Sequence, residues 1–347
     1  MEPGSAGNPL LTAAGKLFFR IKRNEPLECP GVFDGITARI ALEEGFDGLY
    51  VGGITACASR MAQADADSGA QSEFLDAVDN IAAITANFGM MIIADPETGM
   101  GDPISVTRMV NRFIKSGVAA IVINDRAPGK GRDRYGHDLV MPQKEYLTRV
   151  AAAANAKDNP DDIIIIARST GLGSLGADET IERLKNAEGV GADVIWMSGI
   201  ANKMSPNDFA KRARKSQFVI AKNATTPNWN QNITSATWKQ VALVLYPDAS
   251  IGTIVNTLSR DLVVIAAEGK QPRRSRFETE SMYRLLGFYS WDKTRPRAED
   301  AAEEQLSLTP RAGSPAVRPS GSGLGHGPSG HADDGRHVRF DLPDRPL

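Results

Sequence analysis

The residues of this chain best suited to chemistry are carboxylates and an arginine placed directly after short apolar runs. Met91-Ile-Ile-Ala94 is followed by Asp95-Pro-Glu97-Thr-Gly99-Met-Gly101-Asp102, Ala120-Ile-Val-Ile123 by Asn124-Asp125-Arg126, and Ile163-Ile-Ile-Ile-Ala167 by Arg168-Ser-Thr170. A hard divalent cation such as Mg2+ takes one or two carboxylates and completes its shell with water or substrate oxygens. An arginine opposite such a cation offers a planar fork to a carboxylate or phosphonate. Each piece also has a structural explanation. Asp-Pro-Glu-Thr-Gly fits a turn and helix cap with Gly99 and Gly101 at positive φ, and Arg168 fits an ion pair closing the end of a barrel. Their joint position at strand ends favours a site for a divalent cation and an anionic substrate.

The elements that must position these residues alternate in type. Strands are predicted over 31–33, 48–51, 91–94, 119–123, 163–167, 194–197, 218–221 and 241–245. Amphipathic helices are predicted over 36–44, 72–87, 104–116, 142–156, 177–188, 206–215, 234–240 and 251–268, with caps at Asp178 and at Ser205-Pro206. Eight strands alternating with eight helices predict an α/β fold, a closed (β/α)8 TIM barrel, in which functional residues gather at the C-terminal ends of the strands. The rival doubly wound sheet has one point in its favour, Gly171-Leu-Gly173-Ser-Leu-Gly176. That run lacks the acidic residue at the end of a following strand that a ribose needs. A ninth helix over 277–289 carries Met282, Leu285, Leu286 and Phe288 and needs another surface for that face.

The chain has 347 residues, 40 Lys+Arg against 42 Asp+Glu, and a net charge of -2. It has no general electrostatic pull toward nucleic acid or an anionic membrane, so neither is an expected partner. Two cysteines without a metal or redox spacing, and no signal-peptide core or apolar run of membrane-spanning length, predict a cytoplasmic protein. From Arg295 onward Pro, Gly, Ser, Arg and Asp dominate, a composition that cannot offset its own ordering entropy. His326, His331 and His337 lie there, which leaves His137 as the one histidine of the folded part. The expected organisation is an N-terminal extension over 1–24, a barrel with a C-terminal oligomerisation helix over 25–293, and a disordered tail over 294–347.

The runs Pro30-Gly-Val-Phe-Asp34, Gly45-Phe-Asp-Gly-Leu-Tyr50-Val-Gly-Gly53, Ile93-Ala-Asp95-Pro-Glu97-Thr-Gly-Met-Gly101, Ile123-Asn-Asp125 and Ile165-Ile-Ala-Arg168 resemble the isocitrate lyase/phosphoenolpyruvate mutase superfamily over about residues 25–293. The resemblance implies a (β/α)8 barrel whose Mg2+ holds a 2-oxo acid or its enolate while a C–C or P–C bond is made or broken. It also implies a homotetramer in which the eighth helix exchanges between neighbours. By the same resemblance Asp95 is the direct metal ligand, with Glu97, Asp65 and Asn124 around the metal. Arg168 holds the substrate carboxylate, and Tyr50, Gly52 and Gly53 lie on the substrate-binding turn. Asn223-Ala-Thr225-Thr226-Pro227-Asn228-Trp229 is similar to a shortened carboxylate-holding stretch of isocitrate lyases, and it fits a hydroxyl-capped turn equally well.

The departures from that pattern narrow the chemistry. A glutamate after strand four is replaced by Asn124, another after strand six by Ser198, and the cysteine of the mobile loop is missing from Lys130-Gly-Arg-Asp-Arg-Tyr135-Gly-His137-Asp138. Ordinary isocitrate cleavage is therefore disfavoured. Phosphonopyruvate- or oxaloacetate-like chemistry remains, or a repurposed biosynthetic reaction on a larger substrate. Tyr135 or His137 would take the proton-transfer role, unless the loop only excludes water. The expectation is a Mg2+-dependent lyase-type enzyme. The alternative is a degenerate barrel that binds a ligand or partner without turnover.

Overall fold

Successive residues of a strand face opposite sides of a sheet, so a run that is apolar throughout must be buried on both. That is how the computed structural model arranges this chain, for which residues 12–62, 71–98, 101–127, 136–200, 204–222, 233–272, 278–286 and 300 are described. The strands are β1 (Leu27–Val32), β2 (Gly48–Gly52), β3 (Met91–Asp95), β4 (Ala120–Asn124), β5 (Ile164–Ser169), β6 (Val194–Met197), β7 (Phe218–Ala221) and β8 (Val241–Tyr246). They pair in sequence order, all parallel, and close into a barrel through β1 and β8, with Leu27 opposite Leu243 and Pro30 opposite Tyr246. One set of side chains, including Cys29, Met91, Ile93, Val122, Ile166, Leu243 and Leu245, fills the barrel interior. The alternate set packs outward against helices, where Phe74, Phe113, Tyr146 and Phe209 are buried.

Helices follow the strands in the expected order. These are α1 (Ala13–Lys22), α2 (Gly35–Glu43), α3 (Gly53–Met61), α4 (Gln71–Thr85), α5 (Pro103–Lys115), α6 (Gln143–Asn155), α7 (Ala177–Gly189), α8 (Pro206–Ala213), α9 (Ser235–Trp238), α10 (Ala249–Glu268) and α11 (Thr279–Leu285). Side-chain caps satisfy orphan backbone N–H groups at the starts of α1, α2, α5, α8 and α9. Asp34 accepts from Thr37 N at 2.8 Å while the Thr37 hydroxyl accepts from Asp34 N. Ser205 Oγ accepts from Asp208 N at 3.1 Å ahead of a first-turn proline, as its sequence predicts. Asp178 is not a cap: it lies inside the first turn of α7, whose N-cap is Gly176, and pairs with Arg212.

Three departures from the sequence expectations stand out. Residues 13–22 form a helix that was not expected, and its fully buried Leu17 joins the barrel-interior cluster. Covering that end with one leucine contributes about 1.5–3 kcal/mol. A helix over 53–61 begins immediately after β2, also unforeseen. Finally, α10, expected as part of the barrel wall, also exposes an apolar face, as does the described part of the 277–289 helix, where Leu286 is exposed and no residue is buried. Only Asp261 of α10 is buried, while Leu258 is 53% and Val263 68% exposed. By length and composition α10 could cross a membrane, a test that helices of soluble proteins also pass. Of the helix expected over 277–289, residues 279–285 are helical and the remainder lies mostly outside the described residues, as does the tail expected over 294–347.

Candidate active site

Five inward-facing rows of the barrel, those of β2 to β6, end in different residues at the C-terminal rim. Continuing each row by two residues leads from Ile93 to Asp95, from Val122 to Asn124, from Ile166 to Arg168, from Val194 to Trp196, and from Gly48 to Tyr50 and Gly52. The register aligns Gly52 with Asp95, Asn124 with Arg168, and Arg168 with Trp196. Period-two geometry therefore brings these side chains together although they come from five strands.

Arg168 is the hub. Its Nη1 lies 2.8 Å from Asp95 Oδ2 and 3.5 Å from Glu97 Oε1, and its Nε donates to Ser198 Oγ at 3.0 Å. Its guanidinium stacks 4.2 Å from the ring centroid of Trp196, which meets Tyr50 edge-on. Tyr50 Oη donates to Asp95 Oδ2 at 2.7 Å, and Asn124 Nδ2 donates to Glu97 Oε2 at 3.0 Å. Asp95 Oδ1 accepts from Glu97 N at 2.9 Å, which makes the Asp-Pro-Glu segment a tight turn. Glu97 adopts φ +60°, a conformation an L residue holds only when its surroundings impose it. Arg149 supports the turn from outside by donating to the Thr98 carbonyl at 2.9 Å.

Asp95 is fully buried and Glu97 nearly so. Burial, with the Asp95 charge adding to it, pushes the Glu97 carboxyl up to about 7, although Arg168, Asn124 and Arg126 pull the other way. Burial and the neighbouring Asp95 hold the Tyr50 phenol well above its ordinary range, so it stays a donor. Burial works against the charge of Arg168, but the Glu97 and Asp95 carboxylates outweigh it and hold the guanidinium firmly protonated. Above these groups opens a pocket of about 280 Å³, bounded by Tyr50, Gly52, Glu97, Arg168 and Ser198 on its polar side and by Ile54, Trp196, Ala221 and Pro247 on its apolar side.

The structure thus gathers Tyr50, Gly52, Asp95, Glu97, Asn124 and Arg168. Tyr50 lies on the expected strand and lines the pocket, and its hydroxyl meets Asp95. Gly52 lines the pocket, and a Cβ there would come within 3.0 Å of the Tyr50 ring. Gly53 is the buried first residue of α3. His137 belongs to the connection that the short bridge between Arg126 and Val140 closes, and it is not among the residues around the pocket. Asp65, Tyr135, Asn223, Thr225 and Thr226 lie outside the described residues. Asp102 takes the structural option, capping α5 through a 2.8 Å bond from Ser105 N. Trp196 and Ser198 were not proposed as site residues. Their signal was the same period-two row, extended through β6. Among the described residues no group of three or more His, Cys, Asp or Glu is close enough to share a metal.

Fold and site together define a (β/α)8 barrel that presents two buried carboxylates and an arginine at the C-terminal rim of its strands, where barrels of this kind carry their active sites. Residues 18–265 match the phosphoenolpyruvate phosphomutase family, and the chain belongs to it. It is 28% identical over 251 residues to a 2,3-dimethylmalate lyase of Eubacterium barkeri, covering 70% of this chain and 82% of that one. A crystal structure of a 2,3-dimethylmalate lyase, described as a PEP mutase/isocitrate lyase superfamily member, superposes with a TM-score of 0.73 at 27% identity over 84% of this chain and 100% of that one. An oxaloacetate acetylhydrolase in complex with its product oxalate superposes with a TM-score of 0.74 at 28% identity, covering 83% and 98%. The relatives are named lyases, hydrolases and mutases.

Proposed function

We propose that this protein is a Mg2+-dependent lyase-type enzyme that forms or cleaves a C–C or P–C bond of a small 2-oxo or 2-hydroxy carboxylate through an enolate. The supporting observation is the Asp95–Arg168–Glu97 constellation, in which Arg168 and Glu97 line the pocket and Asp95 is buried against Arg168. Two buried carboxylates share one guanidinium there, leaving one negative charge in excess when both are ionised. Mg2+ fits that donor set, since it needs only one or two carboxylates and otherwise keeps water or substrate oxygens. Asp95 would hold it, with Glu97, Asn124 and Asp65 around it. When bound, Mg2+ supplies Lewis-acid stabilisation of the charge that develops on the 2-oxo oxygen.

The chain's own residues account for the rest. Arg168 has Nε and Nη1 engaged, while Nη2 has no partner among the described residues and is available to a substrate carboxylate. Tyr50 fixes the rotamer of Asp95, and Asn124 that of Glu97, so both carboxylates are preorganised. Trp196 shields the guanidinium from water on one face and strengthens its charge interactions. Asn223, Thr225 and Thr226 would hold a second carboxylate, and Tyr135 or His137 would transfer the proton. The enzyme would work in the cytoplasm as a homotetramer. Its cysteines, Cys29 and Cys57, are buried thiols, in keeping with a reducing compartment.

The second reading, a barrel that binds without turnover, is favoured by Asn124 and Ser198, which are neutral where carboxylates would complete a metal shell. Calorimetry with Mg2+ and then oxalate, followed by turnover assays on a panel of 2-oxo and 2-hydroxy dicarboxylates and phosphonates, separates the two. Binding of Mg2+ and oxalate with turnover of a panel member is the expected result. Binding with no turnover anywhere on the panel supports the second reading, and oxalate binding indifferent to Mg2+ defeats the metal mechanism.

A further inference from the structure

Behind the site, on the outer side of the same strands, lies a second buried ion pair that the proposed chemistry does not use. Asp125 follows Asn124, so its side chain points away from the pocket. Its Oδ2 accepts from Arg183 Nε at 3.0 Å and from Ser169 Oγ at 2.6 Å, and its Oδ1 accepts from Thr170 N at 2.9 Å. Arg183, on α7, is 4% exposed in its side chain and reaches in a second direction, donating from Nη2 to the Met141 carbonyl at 2.5 Å. The Asp125 backbone is also tied on both sides, its N–H to the Arg168 carbonyl at 3.1 Å and its carbonyl to Met141 N at 2.8 Å. Ala127 N donates to the Leu139 carbonyl at 2.7 Å, so the two ends of the 126–141 connection run together where Arg183 holds them.

A buried pair of this kind is poor evidence of stability, because apolar residues of equal volume usually do as well. What it supplies is direction. We propose that Arg183 is a positioning residue: through Asp125 it fixes the strand ends that carry Asn124 and Arg168, and through the Met141 carbonyl it fixes the closing end of the connection that follows β4. It touches no pocket atom. The two tasks require a fork, since one guanidinium spans a carboxylate and a carbonyl that a single ammonium cannot reach together. This proposal extends the reading of the site as a carboxylate-binding centre.

The test compares the full-length protein with Arg183→Lys, which keeps a cation beside Asp125 and loses the span to Met141. With Mg2+ saturating, oxalate affinity should fall about tenfold. Hydrogen exchange at Ala127 and Met141 should accelerate at least tenfold, while Ile164 and Ile195, whose amides are bonded at the opposite end of the barrel, keep their wild-type rates. Should the lysine variant fold too poorly, Ser169→Ala removes one bond to Asp125, leaves both charges in place, and is read the same way. Unchanged oxalate affinity overturns the proposal. So does faster exchange shared equally by Ile164 and Ile195, which would mean that Arg183 only stabilises the barrel. If the wild-type protein itself fails to bind oxalate, the proposed function falls, and the exchange comparison alone decides the positioning role.

Discussion

At the scale of single residues, the site is an arrangement in which every buried charge already has a partner. Asp95→Asn keeps the shape of the side chain and its contact with Tyr50, and Arg168 retains Glu97 as a counter-charge, so the fold should change little. Catalysis should change greatly. Loss of the proposed metal ligand should remove several kcal/mol of transition-state stabilisation, roughly a thousandfold in rate, and weaken Mg2+ binding in calorimetry. Full turnover by this variant would mean that the metal is held elsewhere. Arg168→Lys should act differently. A point charge cannot serve Asp95, Ser198 and a substrate carboxylate in one plane, so oxalate affinity should drop about tenfold or more while Mg2+ affinity is largely kept. Equal loss of both ligands would assign Arg168 to the metal region and not to the substrate.

At the scale of elements, the barrel is assembled by helices whose ends are pinned to strands, and one such contact carries a pH dependence. Glu188, at the end of α7, accepts from Ser216 Oγ at 2.7 Å just before β7. Partial burial raises its carboxyl above the ordinary range, although the Ser216 hydroxyl and Lys185 oppose the shift. A raised native value means that the fold disfavours the ionised form. The stability this group contributes is complete below the unfolded carboxylate value and is lost as pH rises through the native one. Glu188→Gln, which keeps an oxygen for Ser216, should therefore raise the melting temperature at about pH 7.5 and give no gain near pH 4. The group is partly solvated, so the gain should stay under about 1 kcal/mol. A melting temperature raised equally at both pH values would show that the charge of Glu188 is not the cause.

At the scale of the whole molecule, α10 is the feature that the single chain leaves unexplained. Ile254, Val255, Leu258, Leu262, Val263 and Ile265 are all exposed on it, a stripe larger than a soluble monomer ordinarily leaves in water. Light scattering should give a mass well above 37.2 kDa, and Leu258→Glu should shift it downward by placing a charge in the middle of the stripe. A wild-type monomer at micromolar concentration would contradict the expected tetramer. Chain contacts divide the molecule into residues 1–290 and 291–347. The composition after Arg295 gives no core, so a chain ending at Lys293 should keep its melting temperature. A fall of many degrees would show that the last segment docks on the barrel.

How much of this was legible in the sequence follows from which forces are local. The α/β alternation was legible because strand and helix periods are properties of short stretches: β6 and β7 fall on the expected residues, and apart from the start of β1 no other strand end moves by more than two. Asp95, Glu97 and Arg168 were legible because a polar residue closing an apolar row stands out. Closure of the barrel decided the rest. Strand β1 begins at Leu27, four residues before the expected start, because Leu27 pairs with Leu243 on β8, more than two hundred residues away. Helix 13–22 had no visible partner until the barrel end existed for Leu17 to enter. Trp196 under the guanidinium was signalled only by the row extended through β6, since an aromatic residue in a strand looks like core, and the resemblance that named Tyr50 did not reveal its bond to Asp95. Composition and periodicity determined what kind of elements this chain forms. Only the packed barrel decided that Asn124 faces Glu97 in the barrel interior while Asp125, the next residue, faces Arg183, because alternate residues of a strand must point to opposite sides.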